Sequence, residues 1–101
     1  MASTRTPAEV FRPGEYIREE LEARHWTQSD LAAVLKRPLQ AVIEIINGKK
    51  RITAETAKEL SAAFGTSADF WLNLESIYRL AMAKDPDPEI SRRAAHLAAA
   101  K

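Results

Sequence analysis

The sequence contains no cysteine among its 101 residues. Disulfides, thiolate metal sites and a cysteine nucleophile are therefore excluded. No stretch approaches the roughly 18 consecutive apolar residues of a membrane-spanning helix. The start of the chain, MASTRTPAEVFRPGE, also lacks the apolar core of a signal peptide. We expect a cytoplasmic protein with one modest core and no membrane partner.

The patterns that indicate catalysis are missing as well. His25 and His96 are the only histidines, and they are far apart in the sequence. The chain has no glycine-rich phosphate loop, no nucleophile elbow and no patterned acidic cluster for a metal. We expect no enzymatic activity, no metal, no cofactor and no small-molecule substrate.

The net charge of +1 conceals an uneven distribution along the chain. Residues 36 to 51 contain five cations and a single acid, Glu44, so this segment carries +4 and the remainder −3. Concentrated positive charge suits a surface that faces phosphates. A solvated basic loop would have the same composition, and charge alone does not separate the two.

Glycine, proline and apolar spacing predict helices throughout the chain. Thr27 is predicted to cap the second helix, with Asp30 in a capping-box position. The spacing of three and four predicts these inward residues: Ile17 and Leu21; Leu31, Val34 and Leu35; Leu39, Val42, Ile45 and Ile46; Ala57, Leu60, Ala63 and Phe64. A fifth helix begins at Thr66 or Ser67 and ends before Pro86, and an alanine-rich helix follows from Glu89, with Ile90, Ala94 and Leu97 on a weak stripe. No strand pattern occurs, so the predicted class is all-α.

A tight turn joins the second and third helices. Pro38 cannot continue the second helix past Leu35, but it suits the first turn of the third, predicted over residues 38 to 47. A tight two-helix turn followed by basic residues is typical of a helix-turn-helix, whose second helix enters the major groove of DNA. Lys36 stands in this turn, which must either avoid a positive φ or strain to hold it.

Several motifs carry a family resemblance. The stretch TQSDLAAVLKRPLQAVIEIINGKKRIT resembles the helix-turn-helix of the XRE and lambda-repressor class. In order, FRPGEYIREEL, RPLQAV, EIINGKKRIT, ETAKELSAAFGTS and FWLNLE resemble successive motifs of the HigA-type antitoxins of bacterial toxin–antitoxin modules. The resemblance implies a five-helix lambda-repressor-like domain that binds palindromic operator DNA as a homodimer and represses its own operon. It also implies neutralisation of a HigB-type toxin, a RelE-like ribonuclease that cuts messenger RNA.

The site residues follow from the motif and the resemblance. In the wider class, a glutamine that opens the second helix contacts phosphate and one near the start of the third reads a base, positions held here by Gln28 and Gln40. The outer face predicted for base readout is Gln40, Ile43, Glu44 and Asn47. The residues predicted to contact phosphate are Thr27, Gln28, Lys36, Arg37, Lys49, Lys50 and Arg51.

Ile43 departs from the family pattern, which often has asparagine at this position. We expect Ile43 to pack against a thymine methyl group in the major groove. The alternative is a rotated third helix that buries Ile43 within the dimer. Glu44 has three open roles: accepting a hydrogen bond from cytosine, repelling misplaced DNA, or pairing with Lys36 or Arg37.

The fifth helix is apolar on more than one side, which indicates a subunit interface. The residues predicted for the dimer contact are Phe70, Trp71, Leu74, Ile77 and Tyr78. We expect a flexible arm over residues 1–10, a DNA-binding and dimerisation domain over 11–84, and a helical tail over 85–101. Either the acidic first helix or the tail could contact the toxin, and the alternative function is a repressor of the stand-alone or phage type with no toxin partner.

Overall fold

The computed structural model describes residues 11–101, and the arm expected over residues 1–10 lies outside this range. The described chain contains six helices and no strand. They are α1 (Pro13–Arg24), α2 (Gln28–Leu35), α3 (Leu39–Ile46), α4 (Ala54–Phe64), α5 (Ala68–Met82) and α6 (Glu89–Ala100). The all-α class is confirmed, with five helices in the predicted order and α6 as the expected C-terminal extension.

The first five helices enclose a single apolar core. Its largest fully buried side chains are Trp71, Ile17, Leu31, Leu60 and Val42, so each of the five helices supplies one. Burying an aliphatic side chain of this size stabilises the fold by roughly 1.5–3 kcal/mol. In this packing α3 lies against both α1 and α2, while α4 lies against α2 and α5. The helix that carries the predicted readout residues is therefore held on its inner side by two neighbours.

Two inward predictions are wrong. The side chain of Val34 is 50% exposed and that of Leu39 is 41% exposed. Both residues lie on helices of only eight residues, α2 and α3. On such short helices the apolar spacing fits more than one rotation about the axis, and the packing of the neighbouring helices selects one of them.

The predicted starts of α2 and α5 are confirmed by their hydrogen bonds, while α3 begins at Leu39, one residue after the predicted start. The Thr27 hydroxyl accepts a hydrogen bond from the Asp30 amide at 3.0 Å, and the Asp30 carboxylate accepts one from the Thr27 amide at 2.7 Å. This reciprocal capping box saturates two amides that the helix itself leaves unpaired. Of the two candidates for the start of α5, Ser67 is the cap, since its hydroxyl accepts from the Phe70 amide at 3.1 Å.

The last helix differs from the others in its surroundings. None of the residues of α6 is buried. The preceding segment, residues 83–88, contains two prolines, and the molecule measures 60 × 32 × 22 Å along its principal axes. The stripe residues Ile90 and Leu97 remain 51% and 59% exposed. The expected extension is therefore helical but not part of the core.

Candidate nucleic-acid interface

The corner between α2 and α3 is closed by a left-handed residue. Lys36 has φ 56° and ψ 46°, and its amide donates to the Ala33 carbonyl at 3.3 Å. The next amide, that of Arg37, donates to the Ala32 carbonyl at 3.0 Å. Of the two outcomes expected for this turn, the chain holds the positive φ, at a cost of about 1–2 kcal/mol for a residue with a side chain.

The outer face of α3 presents two polar side chains that contact each other. The Gln40 amide nitrogen lies 3.4 Å from a carboxylate oxygen of Glu44. The other carboxylate oxygen of Glu44 lies 3.9 Å from the Lys50 ammonium. Of the roles left open for Glu44, the intramolecular pair is present, but its partner is Lys50 rather than Lys36 or Arg37.

Ile43 is neither fully exposed nor part of the core. Its side chain is half-buried on the same helix as the exposed Gln40. The buried apolar side chains of α3 are Val42, Ile45 and Ile46, as the helical spacing predicted. Ile43 thus retains apolar surface on the outer side, which suits contact with a methyl group.

The cations predicted to contact phosphate fall into two groups. Lys36, Lys49, Lys50 and Arg51 are exposed. Arg37 instead forms a two-pronged ion pair with Glu59 of α4, at 2.6 Å from Nε and 2.9 Å from Nη2. The hydrogen bond to Glu59 is the main cause of a raised pKa for Arg37. Because this carboxylate neutralises Arg37, the positive surface depends chiefly on the exposed residues.

The start of α2 offers a different kind of contact. The capping box occupies the backbone amide of Thr27, so any phosphate contact by Thr27 would use its hydroxyl hydrogen. Gln28 is half-buried at the first position of the helix. Asp30 places a negative charge beside both residues, which opposes a phosphate there.

Three arginines surround the C-terminal end of α3, and none of them is among the site residues predicted from the sequence. Arg12 donates to the Asn47 carbonyl at 3.2 Å, and Arg18 donates to the Asn47 side-chain oxygen at 3.1 Å. Arg79 of α5 donates to the Gly48 carbonyl at 3.0 Å. Cations at a helix C-terminus are favoured by the helix dipole. The hydrogen bond from Arg18 uses one of the two lone pairs on the Asn47 amide oxygen and orients this predicted reader, whose NH2 group remains available to a base.

The residues predicted for the dimer contact differ widely in exposure. Trp71 has no exposed surface, and its indole N–H donates to the Thr66 hydroxyl at 2.6 Å. The assignment of Trp71 to a dimer interface is therefore wrong, because it belongs to the core of its own subunit. Phe70 is 36% exposed and Ile77 is 63% exposed.

The exposed apolar surface of α5 extends beyond Phe70 and Ile77. Leu74 and Tyr78 are half-buried. Leu80 and Met82, which sequence analysis did not select, are 78% and 59% exposed. Large exposed apolar side chains thus continue to the end of α5.

Two other kinds of site are absent from residues 11–101. No cluster of histidine and acidic side chains in this part of the chain is arranged to hold a metal ion. None of the helices described above is long and apolar enough to cross a membrane.

Comparison with known proteins identifies relatives for most of the chain. Residues 17–71 match the sequence model of the helix-turn-helix family. An addiction module antidote protein of the HigA family from Coxiella burnetii has 42% sequence identity and a TM-score of 0.68, over 72% of this chain and 80% of its own. The Pseudomonas aeruginosa antitoxin HigA, solved with the higBA promoter, has 37% identity and a TM-score of 0.69, over 73% of this chain and 82% of its own.

A curated relative carries a different kind of name. An uncharacterized HTH-type transcriptional regulator from Haemophilus influenzae is 40% identical over 74 residues, which are 72% of this chain and 66% of the relative. This chain therefore spans just under two thirds of that protein's length.

Proposed function

The chain belongs to the XRE-type helix-turn-helix family of non-enzymatic DNA-binding regulators, with HigA-family antitoxins as structural neighbours, and from this premise we propose its specific role. The protein is an antitoxin that neutralises a cognate HigB-type toxin and, as a homodimer, binds palindromic operator DNA to repress its own operon. It acts in the bacterial cytoplasm, on the nucleoid when bound to DNA. Residues 11–84 supply DNA binding and dimerisation, and residues 85–101 form a tail.

The observation that carries the DNA-binding part is the outer face of α3 with exposed cations around it. Gln40 and Ile43 project from a helix whose opposite side is fixed in the core. Glutamine can pair with both adenine N6 and N7, and isoleucine can pack on a thymine methyl group. Lys36 precedes α3 and Lys49 follows it, so that a cation stands at each end to contact the backbone phosphates.

The homodimer is supported by the exposed apolar surface of α5. Phe70, Ile77, Leu80 and Met82 lie along this helix with at least a third of each side chain exposed. Large apolar residues gathered on one surface element are typical of a protein interface. A two-fold dimer would present two copies of α3 to successive turns of the major groove, about 34 Å apart.

Toxin neutralisation is supported by the HigA-family neighbours. The Coxiella burnetii relative is described as an addiction module antidote, and the Pseudomonas aeruginosa relative as an antitoxin. The second candidate, a repressor of the stand-alone or phage type without a toxin partner, is favoured by the name of the Haemophilus influenzae relative, an HTH-type transcriptional regulator. Both candidates use the same face of α3, so a test must separate toxin binding from DNA binding.

The decisive experiment is co-expression of this chain with the product of the adjacent reading frame. The antitoxin proposal predicts a stable complex and relief of growth arrest. As a matched control, Gln40→Ala should lose operator preference but still relieve the arrest, because the residue acts on DNA. If the wild-type chain forms no complex and gives no relief, the antitoxin proposal is wrong and the repressor candidate replaces it.

A further inference from the structure

One arginine of α5, the helix of the proposed dimer contact, forms an ion pair within that helix and a hydrogen bond to the chain just after α3, the readout helix. On α5, Arg79 Nε lies 2.5 Å from a carboxylate oxygen of Glu75 one turn earlier. The Arg79 Nη2 group donates to the Gly48 carbonyl, just beyond the end of α3, at 3.0 Å. The Glu75 side chain is only 10% exposed and that of Arg79 is 24% exposed. We name this arrangement the α5 clasp.

The α5 clasp has the features of a fixed rather than a mobile contact. The Glu75 carboxylate is largely shielded from water, so its charge must be compensated by the Arg79 guanidinium. This pairing fixes the orientation of the Arg79 side chain. The guanidinium also lies 5.1 Å from the ring centre of Tyr78. A planar group with several donors can hold a carboxylate and a carbonyl at the same time in one geometry.

We infer that Arg79, oriented by Glu75, is a positioning residue for DNA readout: it fixes the C-terminal end of α3 relative to α5. This inference rests on the proposed function, in which α3 reads the operator and α5 joins the subunits. Arg12 and Arg18 also contact the end of α3, but they belong to the segment around α1. Arg79 makes the hydrogen bond from the proposed dimer helix to this end of α3, so it sets how each readout helix is presented relative to the two-fold axis.

Loss of the α5 clasp should affect base contacts and phosphate contacts differently. Phosphate contacts tolerate small displacements, because they are long-range and numerous. A bidentate contact to a base requires defined geometry. Loss of the α5 clasp should therefore lower the preference for the operator while leaving non-specific affinity unchanged.

The chain contains a matched control for this experiment. Arg24 Nη1 of α1 lies 2.5 Å from the carboxylate of Glu20 one turn earlier, and Arg24 Nη2 donates to the Phe64 carbonyl at 2.8 Å. Phe64 is the last residue of α4, so this pair clasps the end of a helix that carries none of the proposed readout residues. We name it the α1 clasp. It shares the sequence spacing and the chemistry of the α5 clasp but not its position beside α3.

The test compares two double variants, Glu75→Gln/Arg79→Met and Glu20→Gln/Arg24→Met. Removing both charges of each pair avoids leaving an unpaired carboxylate in either variant. Fluorescence anisotropy would measure binding to a duplex from the promoter upstream of the gene and to a scrambled duplex of equal length and composition. The measurements are made over a range of salt concentrations, at a temperature where circular dichroism shows each variant folded.

The α5 variant should lose on the order of tenfold in the ratio of promoter to scrambled affinity, the cost of one weakened base contact. Its salt dependence on the scrambled duplex should equal that of the wild type, which distinguishes positioning from a phosphate contact. The α1 variant should retain the wild-type ratio.

An unchanged ratio in the α5 variant would overturn the positioning role, and so would an equal loss in both variants, which would indicate a general effect of destabilisation. A reduced salt slope would assign Arg79 to phosphate instead. If the wild-type chain itself shows no preference for the promoter, the proposed function fails, and the inference fails with it.

Discussion

Gly14 lies where α1 and the end of α3 touch. A Cβ atom at Gly14 would be 1.8 Å from the Ile46 carbonyl oxygen and 2.8 Å from the Ile46 Cα. Both atoms are backbone, so no side-chain rotation can relieve the overlap. The Gly14→Ala substitution must therefore separate α1 from α3 by about 1.2 Å to bring the oxygen even to 3.0 Å.

Two opposing contributions set the change in the free energy of unfolding caused by Gly14→Ala. Gly14 lies inside α1 and is not among the residues with positive φ, so alanine fits its backbone and would gain up to about 1 kcal/mol in helix propensity. Overpacking a close contact costs about 1–3 kcal/mol, and an overlap with backbone belongs at the upper end. We expect a net loss of about 2 kcal/mol in the free energy of unfolding, or roughly 8–16 °C in Tm for a domain of this size.

Urea and thermal unfolding followed by circular dichroism would measure this loss. Gly65→Ala is the control, because Gly65 has φ +76° and a Cβ atom added there would have no neighbour within 4 Å. Its cost should be the backbone strain alone, about 1–2 kcal/mol, with promoter binding intact. Gly14→Ala should also weaken promoter binding, since Ile46 ends α3. A Gly14→Ala protein as stable as the wild type would refute the argument from close contact.

Three further predictions concern single side chains. Ile43→Asn should change the base preference at one position of each half-site in a binding-site selection assay; an unchanged preference at every position would exclude the thymine contact. Lys49→Ala should lower the affinity for the promoter duplex and for the scrambled duplex equally, and reduce the slope of log affinity against log salt by about one. A loss of affinity confined to the promoter duplex would contradict a phosphate role. The hydrogen bond from Arg93 lowers the pKa of Asp87. This contact therefore favours the folded tail above the ordinary carboxyl pKa, and its contribution is lost as the pH falls through the lowered pKa. In Arg93→Gln the pKa of Asp87 measured by NMR should rise towards the ordinary value, and an unchanged pKa would contradict the pairing.

Local signals in the sequence were sufficient for the order of the helices and for the cap of α2. The capping box of Thr27 and Asp30 is a contact over three residues, and such contacts follow from the order of residue types. The inner residues Val42, Ile45 and Ile46 likewise follow from periodicity within one helix. The outer position of Gln40 follows from the same periodicity.

Contacts between distant segments were not accessible in this way. The basic stretch predicts a phosphate contact for Arg37, but it gives no sign of the ion pair with Glu59, which is 22 residues away on α4. Trp71 was assigned to a dimer contact because α5 is apolar on several sides, yet the core of the same subunit accommodates it. Glu75 and Arg79 are four residues apart, a spacing at which helical side chains meet, but nothing local indicates that Arg79 also reaches Gly48, 31 residues earlier.

The exposure of α6 has a consequence for how the molecule opens. A helix of 12 residues is marginal in water by itself, and none of the residues of α6 is buried. What holds it is local: the Asp87 side chain accepts from the Glu89 amide at 2.9 Å, and Glu89 pairs with Arg92 at 3.1 Å. Opening α6 exposes no core surface, so its backbone amides can exchange hydrogen with solvent through local fluctuations while the five-helix domain stays closed. Within residues 11–101 we therefore expect α6 to be less protected from hydrogen exchange than the five-helix domain, with the segment 83–88 as the boundary between them.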